Sequence, residues 1–345
     1  MQTNKYSKLN SIIHKYKNYP KQGSLKWLKK RERTIGGSEM SYFGKNYSLR
    51  KLAKIKLGLE KFTGNDYTRW GNVFENVSKS ILEDIIGCHI METSSIPYMF
   101  DENTGKPICA YSPDGLMVLQ EHLWSHIDFI LALFGKPPLD VPHKTLLILL
   151  EFKCPSTRVL ASEIPEQYRY QIWSGLSALP DCDISLYMDA RYSITHVGDI
   201  SAKISGFMIY YSSIQGSRDE EPEILSADNM KWVHAVFRKY VDGLLTTQPE
   251  SYLYFHHKVY IHDEASTMAD DIKSVIFAHN NTNTSSPYRP KYIISWRLDD
   301  VSILPEIRHP CFPESVRPNI LEFWEKIESL RGLKDLSWEH VYEVF

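Results

Sequence analysis

Two acids and a lysine stand in an order that suits phosphodiester chemistry: Asp114 in Ser112-Pro113-Asp114-Gly115, then Glu151 and Lys153 in Glu151-Phe152-Lys153. The second motif ends an uninterrupted aliphatic run, Leu146 to Leu150. A short run of that kind belongs to a central strand buried on both faces. Strand side chains alternate, so Glu151 and Lys153 point to one face. Leaving either charge unpaired there is costly. The pair is therefore either a salt-bridged strand end or a metal-ligand carboxylate beside a water-orienting ammonium. Two hard carboxylates, helped by backbone and water oxygens, suit Mg²⁺ or Mn²⁺. Such a centre lowers the pKa of bound water and neutralises charge on the phosphorane, and in two-metal sites ions about 3.5–4 Å apart also stabilise the leaving oxygen. Lys153 would hold the attacking water or the scissile phosphate.

Taken singly, each piece also has an ordinary explanation. Pro-Asp-Gly is a standard β-turn sequence. Glu75, in Arg69-Trp70-Gly71-Asn72-Val73-Phe74-Glu75, is either a helix-surface acid or a carboxylate turned into the same cleft. Gln171 shares a helix face with Gln167 and Gly175. It either donates to a phosphate or belongs to a helix whose buried side is aromatic.

The elements that must position these groups are legible in outline. Residues 1–61 read as largely helical, over Ser24–Arg33 and Ser48–Leu59, with a break at Gly36-Gly37-Ser38. Val73, Val77, Ile81 and Ile85 recur every four residues and predict a helix over Tyr67–Ile86, ended by Gly87. Strands are expected at Ile96–Phe100, Leu116–Leu119, Leu146–Lys153, Ile184–Arg191 and Gly206–Tyr211. Later strands fall at Tyr252–Ile261 and Tyr292–Leu298. Helices are expected near Pro165–Leu179, Ala227–Leu245 and Asn319–Leu330, with a charged loop at Ser213–Glu223. The order of helix, strands, helix, strands gives a mixed α/β core.

Charge is unevenly spread. Residues 1–61 hold 16 Lys and Arg against 3 Asp and Glu, a surplus of +13, while the rest of the chain carries −15. A basic arm on an acidic body points to an anionic partner, nucleic acid first, or else to a solvated basic helix pair. No apolar run is long enough to span a bilayer. The N-terminus is polar and basic, unlike a secretory signal. The 5 cysteines are scattered without a Cys-x-x-Cys pair. That pattern argues against a zinc site or a disulfide framework and for a reducing, intracellular setting.

The order Trp-Gly-x-x-x-Glu, Ser-Pro-Asp-Gly-Leu, Glu-Phe-Lys-Cys-Pro, Tyr-x-x-Gln resembles the lambda-type exonucleases, the YqaJ-like viral recombinases of the PD-(D/E)XK superfamily. The stretch Arg31 to Glu39 fits the same family, so the resemblance spans roughly residues 25–215. It implies a restriction-endonuclease-like fold, a central mixed sheet flanked by helices. It implies that Asp114 and Glu151 bind metal, that the Phe152 carbonyl completes the inner shell, and that Lys153 is the catalytic lysine. By the same likeness Glu75 assists the metals, and Arg31, Ser38, Ser112 and Gln171 hold a 5′-terminal phosphate. The implied reaction is Mg²⁺-dependent 5′→3′ digestion of linear double-stranded DNA, with two ions and Mn²⁺ as a substitute. It leaves 3′ single strands for an annealing protein in recombination or repair. Ring-shaped homo-oligomers occur in the family. The implied place is the interior of a host cell, at cytoplasmic viral replication sites, with the nucleus left open and no membrane partner.

The chain departs from the family in two places. An insertion, residues 121–144, replaces a short hairpin between Asp114 and Glu151, and its Trp124, Ile127, Ile130, Leu131 and Phe134 lie close to one helix face. It is expected to be dispensable for metal chemistry, and to pack either on a partner or on the C-terminal region. A further region follows Ser217. The expected parts are thus a basic helical segment (1–61), a nuclease core (62–215) and a C-terminal extension packed on the core (216–345). Two other functions stay open: an endonuclease or flap nuclease on the same core, and a DNA- or protein-binding module without catalysis.

Overall fold

The computed structural model describes residues 2–20, 24–44, 48–60, 64–213, 221–244, 250–282, 287–333 and 335–345. The strands are β1 (Ile35–Gly36), β2 (Ile96–Phe100), β3 (Pro107–Tyr111), β4 (Gly115–Leu119), β5 (Leu146–Lys153), β6 (Ile184–Thr195), β7 (Ile204–Ser213), β8 (Glu223–Leu225), β9 (Ser251–Phe255), β10 (Tyr260–Ile261) and β11 (Tyr288–Glu306). The helices are α1 (Gln2–Tyr16), α2 (Leu25–Arg31), α3 (Ser41–Gly44), α4 (Leu49–Lys56), α5 (Asp66–Ile86), α6 (Trp124–Leu133), α7 (Glu166–Ala178), α8 (Met230–Gly243), α9 (Met268–Thr282), α10 (Arg317–Arg331) and α11 (Trp338–Val344). Among the described residues, no helix is long and apolar enough to cross a membrane.

The large sheet runs β10-β7-β11-β6-β5-β4, with β8 on β11 and β9 on β7. β4 and β5 are antiparallel, and β5 and β6 are parallel across the α7 connection. The sheet is therefore mixed. β5 shows why it is central. Leu146, Ile148, Leu150 and Phe152 enter the cluster that holds α5, α6 and α8 residues, whereas Leu147 and Leu149 enter the one built with α1 and α7. Burying alternate residues on opposite helical layers is what a continuous aliphatic strand is for. The expected mixed sheet flanked by helices is what the chain forms.

α5 is fixed at both ends. Asn65 caps it by accepting from the Thr68 N–H at 2.9 Å, and Gly87 closes it at φ 68, in the left-handed region. Its inner stripe, from Trp70 to Ile86, lies against the sheet. The insertion does the same. Trp124, Ile127, Ile130 and Leu131 of α6 are buried in that cluster, and the Trp124 indole N–H donates to the Lys144 carbonyl at 2.8 Å. Lys136 pairs with Asp300 of β11 at 3.2 Å. The segment thus packs on its own chain, partly on the C-terminal region. The idea that it can be dispensed with meets a physical objection, because it fills the core that backs β5.

β11 lies between β6 and β7 and pairs antiparallel with both. The region after 215 is therefore woven into the sheet and is not an outer layer packed onto it. The expected part boundaries fall at residues 61–63 and 214–220, outside the described residues, as does most of the charged loop expected at Ser213–Glu223. The basic arm is partly neutralised by the body. Lys5 pairs with Asp183 at 2.5 Å and Lys8 with Asp181 at 2.9 Å, while Lys56 is buried against Glu39. Lys15, Lys17, Lys26, Lys29, Lys30 and Arg33 stay exposed.

Candidate active site

The ends of β4 and β5 meet the N-terminal half of α5 and the first turns of α7. Gly115 lies opposite Leu150, which sets Asp114 across from Glu151. Gly115 is the first residue of β4, not a turn glycine. A Cβ there would fall 2.5 Å from Ile90 Cγ2, so the Pro-Asp-Gly sequence serves close packing rather than a β-turn.

Asp114 is buried, and its Oδ2 accepts from the Phe152 N–H at 2.9 Å. Glu151 is fully buried. Its Oε2 accepts from the Tyr111 hydroxyl at 2.8 Å, and its Oε1 pairs with the Lys153 ammonium. Lys153 Nζ also donates to the Phe152 carbonyl at 3.1 Å and lies 5.2 Å over the Tyr168 ring. Burial works against the charge on Lys153, but Glu151 and then Asp114 outweigh it and raise its pKa. Glu75 reaches the same region from α5, paired with Lys79 at 3.2 Å.

Burial pushes the Glu151 carboxyl up to about 7 and the Glu75 carboxyl up to about 8, with the like charge of Asp114 as the next cause in each case. This has a sign. A raised carboxyl contributes stability below its unfolded value, near 4.5, and that contribution is lost as pH rises through the folded value. The metal-free protein is therefore expected to lose thermal stability between about pH 5 and pH 8. Bound Mg²⁺ should restore more of it the higher the pH. Melting curves with chelator and with Mg²⁺ check this, and a flat chelator profile would contradict it.

The phosphate-side residues face the same space. A cleft of about 230 Å³ is lined by Arg31, Ser38, Glu75, Ser112, Asp114, Lys153 and Gln171, among others. Arg31 Nη2 pairs with Glu39 at 3.0 Å, and its guanidinium lies 4.8 Å over the Trp27 ring. Glu39 in turn takes Lys56 at 2.7 Å and the Gly36 N–H at 2.7 Å, while Lys56 also donates to the carbonyls of Arg31 and Thr34. Against the effect of its burial, Lys56 and Arg31 hold the Glu39 carboxyl below the usual range. This knot fixes the bend between α2 and α3 that carries Arg31 and Ser38. Beyond Lys153 the space continues into a second cavity of about 640 Å³, bordered by Tyr42, Arg158, Gln167 and Tyr168.

Of the residues singled out from the sequence, Arg31, Ser38, Glu75, Ser112, Asp114, Lys153 and Gln171 line this cleft, whereas Phe152 borders the second cavity and Glu151 is buried against Lys153. One grouping is not formed. Among the described residues, no three acidic, histidine or cysteine side chains stand close enough to be a ready-made metal cage. Glu151 lies on the α7 face of β5, whereas Glu75 comes from α5 on the opposite face. Asp114, Glu151 and the Phe152 carbonyl are the oxygens that could hold a hard divalent cation.

Tyr111 and Trp27 escape a reading of motifs, because their partners are distant in sequence. The Tyr111 ring is wedged between two glycines. A Cβ on Gly37 would fall 2.6 Å from Tyr111 Cδ2, and one on Gly175 would fall 2.6 Å from both Tyr111 Cζ and Leu149 Cδ2. In an open helix Gly→Ala is favourable by about 1 kcal/mol. Here Gly175→Ala is expected to destabilise by about 1–3 kcal/mol from overpacking. It should also lower hydrolysis by moving the hydroxyl that holds Glu151. A denaturant melt and an initial-rate assay check both parts, and a stabilised, fully active variant would contradict them.

Residues 26–178 match the YqaJ-like viral recombinase domain. Two curated relatives are the same-named protein in two isolates of African swine fever virus. The Pretoriuskop tick isolate's protein is 22% identical over 341 residues, covering 94% of this chain and 91% of the relative. The Malawi tick isolate's is 27% identical over 197 residues, 55% of each. The likeness to the African swine fever virus protein is thus a relationship across nearly the whole length. Two crystal structures of LHK-Exo, an alkaline exonuclease from Laribacter hongkongensis, one of them in complex with dAMP, are 12% identical. They cover 75% of this chain and 97% of theirs, with TM-scores of 0.32 and 0.34. All the residues singled out above, from Arg31 to Gln171, fall inside residues 26–178, the segment that matches the YqaJ-like viral recombinase domain.

Proposed function

We propose that the chain is a Mg²⁺-dependent exonuclease that hydrolyses linear double-stranded DNA from the 5′ end and releases 5′-phosphorylated products. One observation carries this reading: Asp114, Glu75 and the β5 lysine Lys153 share a single cleft with Arg31, Ser38, Ser112 and Gln171, and Glu151 is buried against Lys153 just behind it. A hydrolytic centre beside a set of anion-binding donors suits a substrate recognised by its terminal phosphate.

The donor set fits a hard divalent cation. Asp114, Glu151 and the Phe152 carbonyl offer only oxygen, and the like charge of Asp114 helps raise the Glu151 carboxyl, a strain that a cation relieves. When bound, one or two Mg²⁺ would supply an activated nucleophile and neutralise charge at the phosphorus. The chain's own groups do the rest. Tyr111 holds Glu151 by its second oxygen. Lys153, kept protonated by Glu151 and Asp114, orients the attacking water or the scissile phosphate. Glu75 assists from the α5 side. Arg31, Ser38, Ser112 and Gln171 grip the terminal phosphate. The second cavity beyond Lys153 gives the strand a path along α7. The remaining 3′ strand would pass to an annealing protein during recombination or repair. A ring-forming homo-oligomer belongs to the same reading.

Linear and closed-circular duplex of one sequence, incubated with Mg²⁺, test it. Loss of the linear form alone is expected. Nicking of the circle would favour an endonuclease on the same core.

A further inference from the structure

We infer that Trp27 is a positioning residue for the terminal 5′-phosphate: its indole orients Ser112 by its edge and Arg31 by its face. The inference rests on the reading of the cleft as a 5′-phosphate pocket.

Trp27 lies on α2, a helix with no buried residue. A tryptophan on such a helix has no core to fill. Yet both its polar and its aromatic parts are engaged. The indole Nε1–H donates to Ser112 Oγ at 3.1 Å, across 85 residues of chain. A serine hydroxyl that accepts on oxygen keeps its own proton for another acceptor. Ser112 lines the cleft, so that proton is available to an anion held there. The ring face carries the Arg31 guanidinium, 4.8 Å from its centroid. A stacked guanidinium with one nitrogen paired to Glu39 is held in a single plane, which leaves its remaining donors aimed as a fork. One side chain thus aligns two phosphate donors that come from different elements. Ser24, the cap of α2, accepts from the Trp27 backbone N–H at 3.2 Å and fixes the residue that does this.

The competing explanation is that Trp27 only pins α2 to the body. The two are separable. A pin would affect every DNA end alike, whereas a positioning residue affects only ends that carry the phosphate.

The test uses the full chain, wild type and with Trp27→Phe or Trp27→Leu. Phe keeps the ring face and loses the N–H, and Leu loses both. Two quantities are measured on one duplex carrying either a 5′-phosphate or a 5′-hydroxyl: kcat/KM with Mg²⁺, and the dissociation constant in chelator by fluorescence anisotropy. The expected result is a phosphate-to-hydroxyl ratio that falls about tenfold in Trp27→Phe and further in Trp27→Leu, in both measurements, through KM. If wild type itself shows a ratio near one, the pocket reading fails and takes the inference with it. If wild type discriminates and both variants keep its ratio while all rates fall together, the pocket stands and the inference is overturned. If Trp27→Leu does not fold, Trp27→Phe decides alone, since it removes no core volume.

Discussion

Asp114→Asn, Glu151→Gln and Lys153→Met are each expected to slow DNA hydrolysis by about 10³-fold or more while the chain stays folded, because several kcal/mol of charge stabilisation is removed at the reacting phosphorus. The three groups are tied together: Asp114 to the Phe152 N–H, Glu151 to Tyr111 and Lys153, and Lys153 to the Phe152 carbonyl. Amide replacements keep the volume of the acids. Glu151→Gln leaves the Lys153 ammonium without its anionic partner, and breaking a buried pair costs up to about 3–5 kcal/mol. Mn²⁺ titration by calorimetry separates the roles. The two acid variants should bind the ion weakly. Lys153→Met should still bind it, because an ammonium has no lone pair to give. Full activity in any of the three, purified and folded, removes that residue from the mechanism.

The sequence exposes this centre because of β5. An aliphatic run from Leu146 that ends in Glu151 and Lys153 marks a central strand with a charged end, and the strand spans the residues expected for it. α5 is as plain, since its four-residue period and Gly87 bound it. β3 is less so. Its five residues belong to a small sheet with β1 and β2, and they carry neither a long apolar run nor a regular alternation. β11 reads as Tyr292–Leu298, but it runs from Tyr288 to Glu306. Its register shifts between Leu298 and Asp300, and the acidic pair Asp299 and Asp300 imitates a turn. Asp299 instead takes Arg297 at 3.0 Å and Ser193 at 3.0 Å. Tyr252–Ile261 divides into β9 and β10, and Asp84 holds the Val259 N–H between them at 2.9 Å. The basic arm misleads in another way. Charge counting cannot show that Lys56 is buried against Glu39, or that Lys5 and Lys8 answer Asp183 and Asp181.

The second large effect concerns the DNA end. Duplex with a 5′-phosphate is expected to be cut about 10- to 100-fold faster than the same duplex with a 5′-hydroxyl, the range for one or two charge-assisted hydrogen bonds. A terminal phosphate is dianionic and is absent from the duplex interior. Arg31 can meet it with a planar fork, and Ser38, Ser112 and Gln171 can add neutral donors. Ser112 lies two residues before Asp114, so the phosphate would sit beside the hydrolytic centre, one nucleotide from the scissile bond. Arg31→Ala should erase most of the preference. The fold should survive, because Glu39 keeps Lys56 and the Gly36 N–H. Arg31→Lys should restore little, since a point charge cannot reproduce the fork. Initial rates on both substrates measure this, and an undiminished preference in Arg31→Ala would remove Arg31 from the pocket.

The most direct measurement follows one linear duplex in which a single strand carries a 5′-phosphate and each strand carries its own label. With Mg²⁺, the phosphorylated strand should be released from its 5′ end as 5′-mononucleotides, while its complement persists as a lengthening 3′ single strand. Release from 3′ ends, or internal fragments from either strand, would contradict the account.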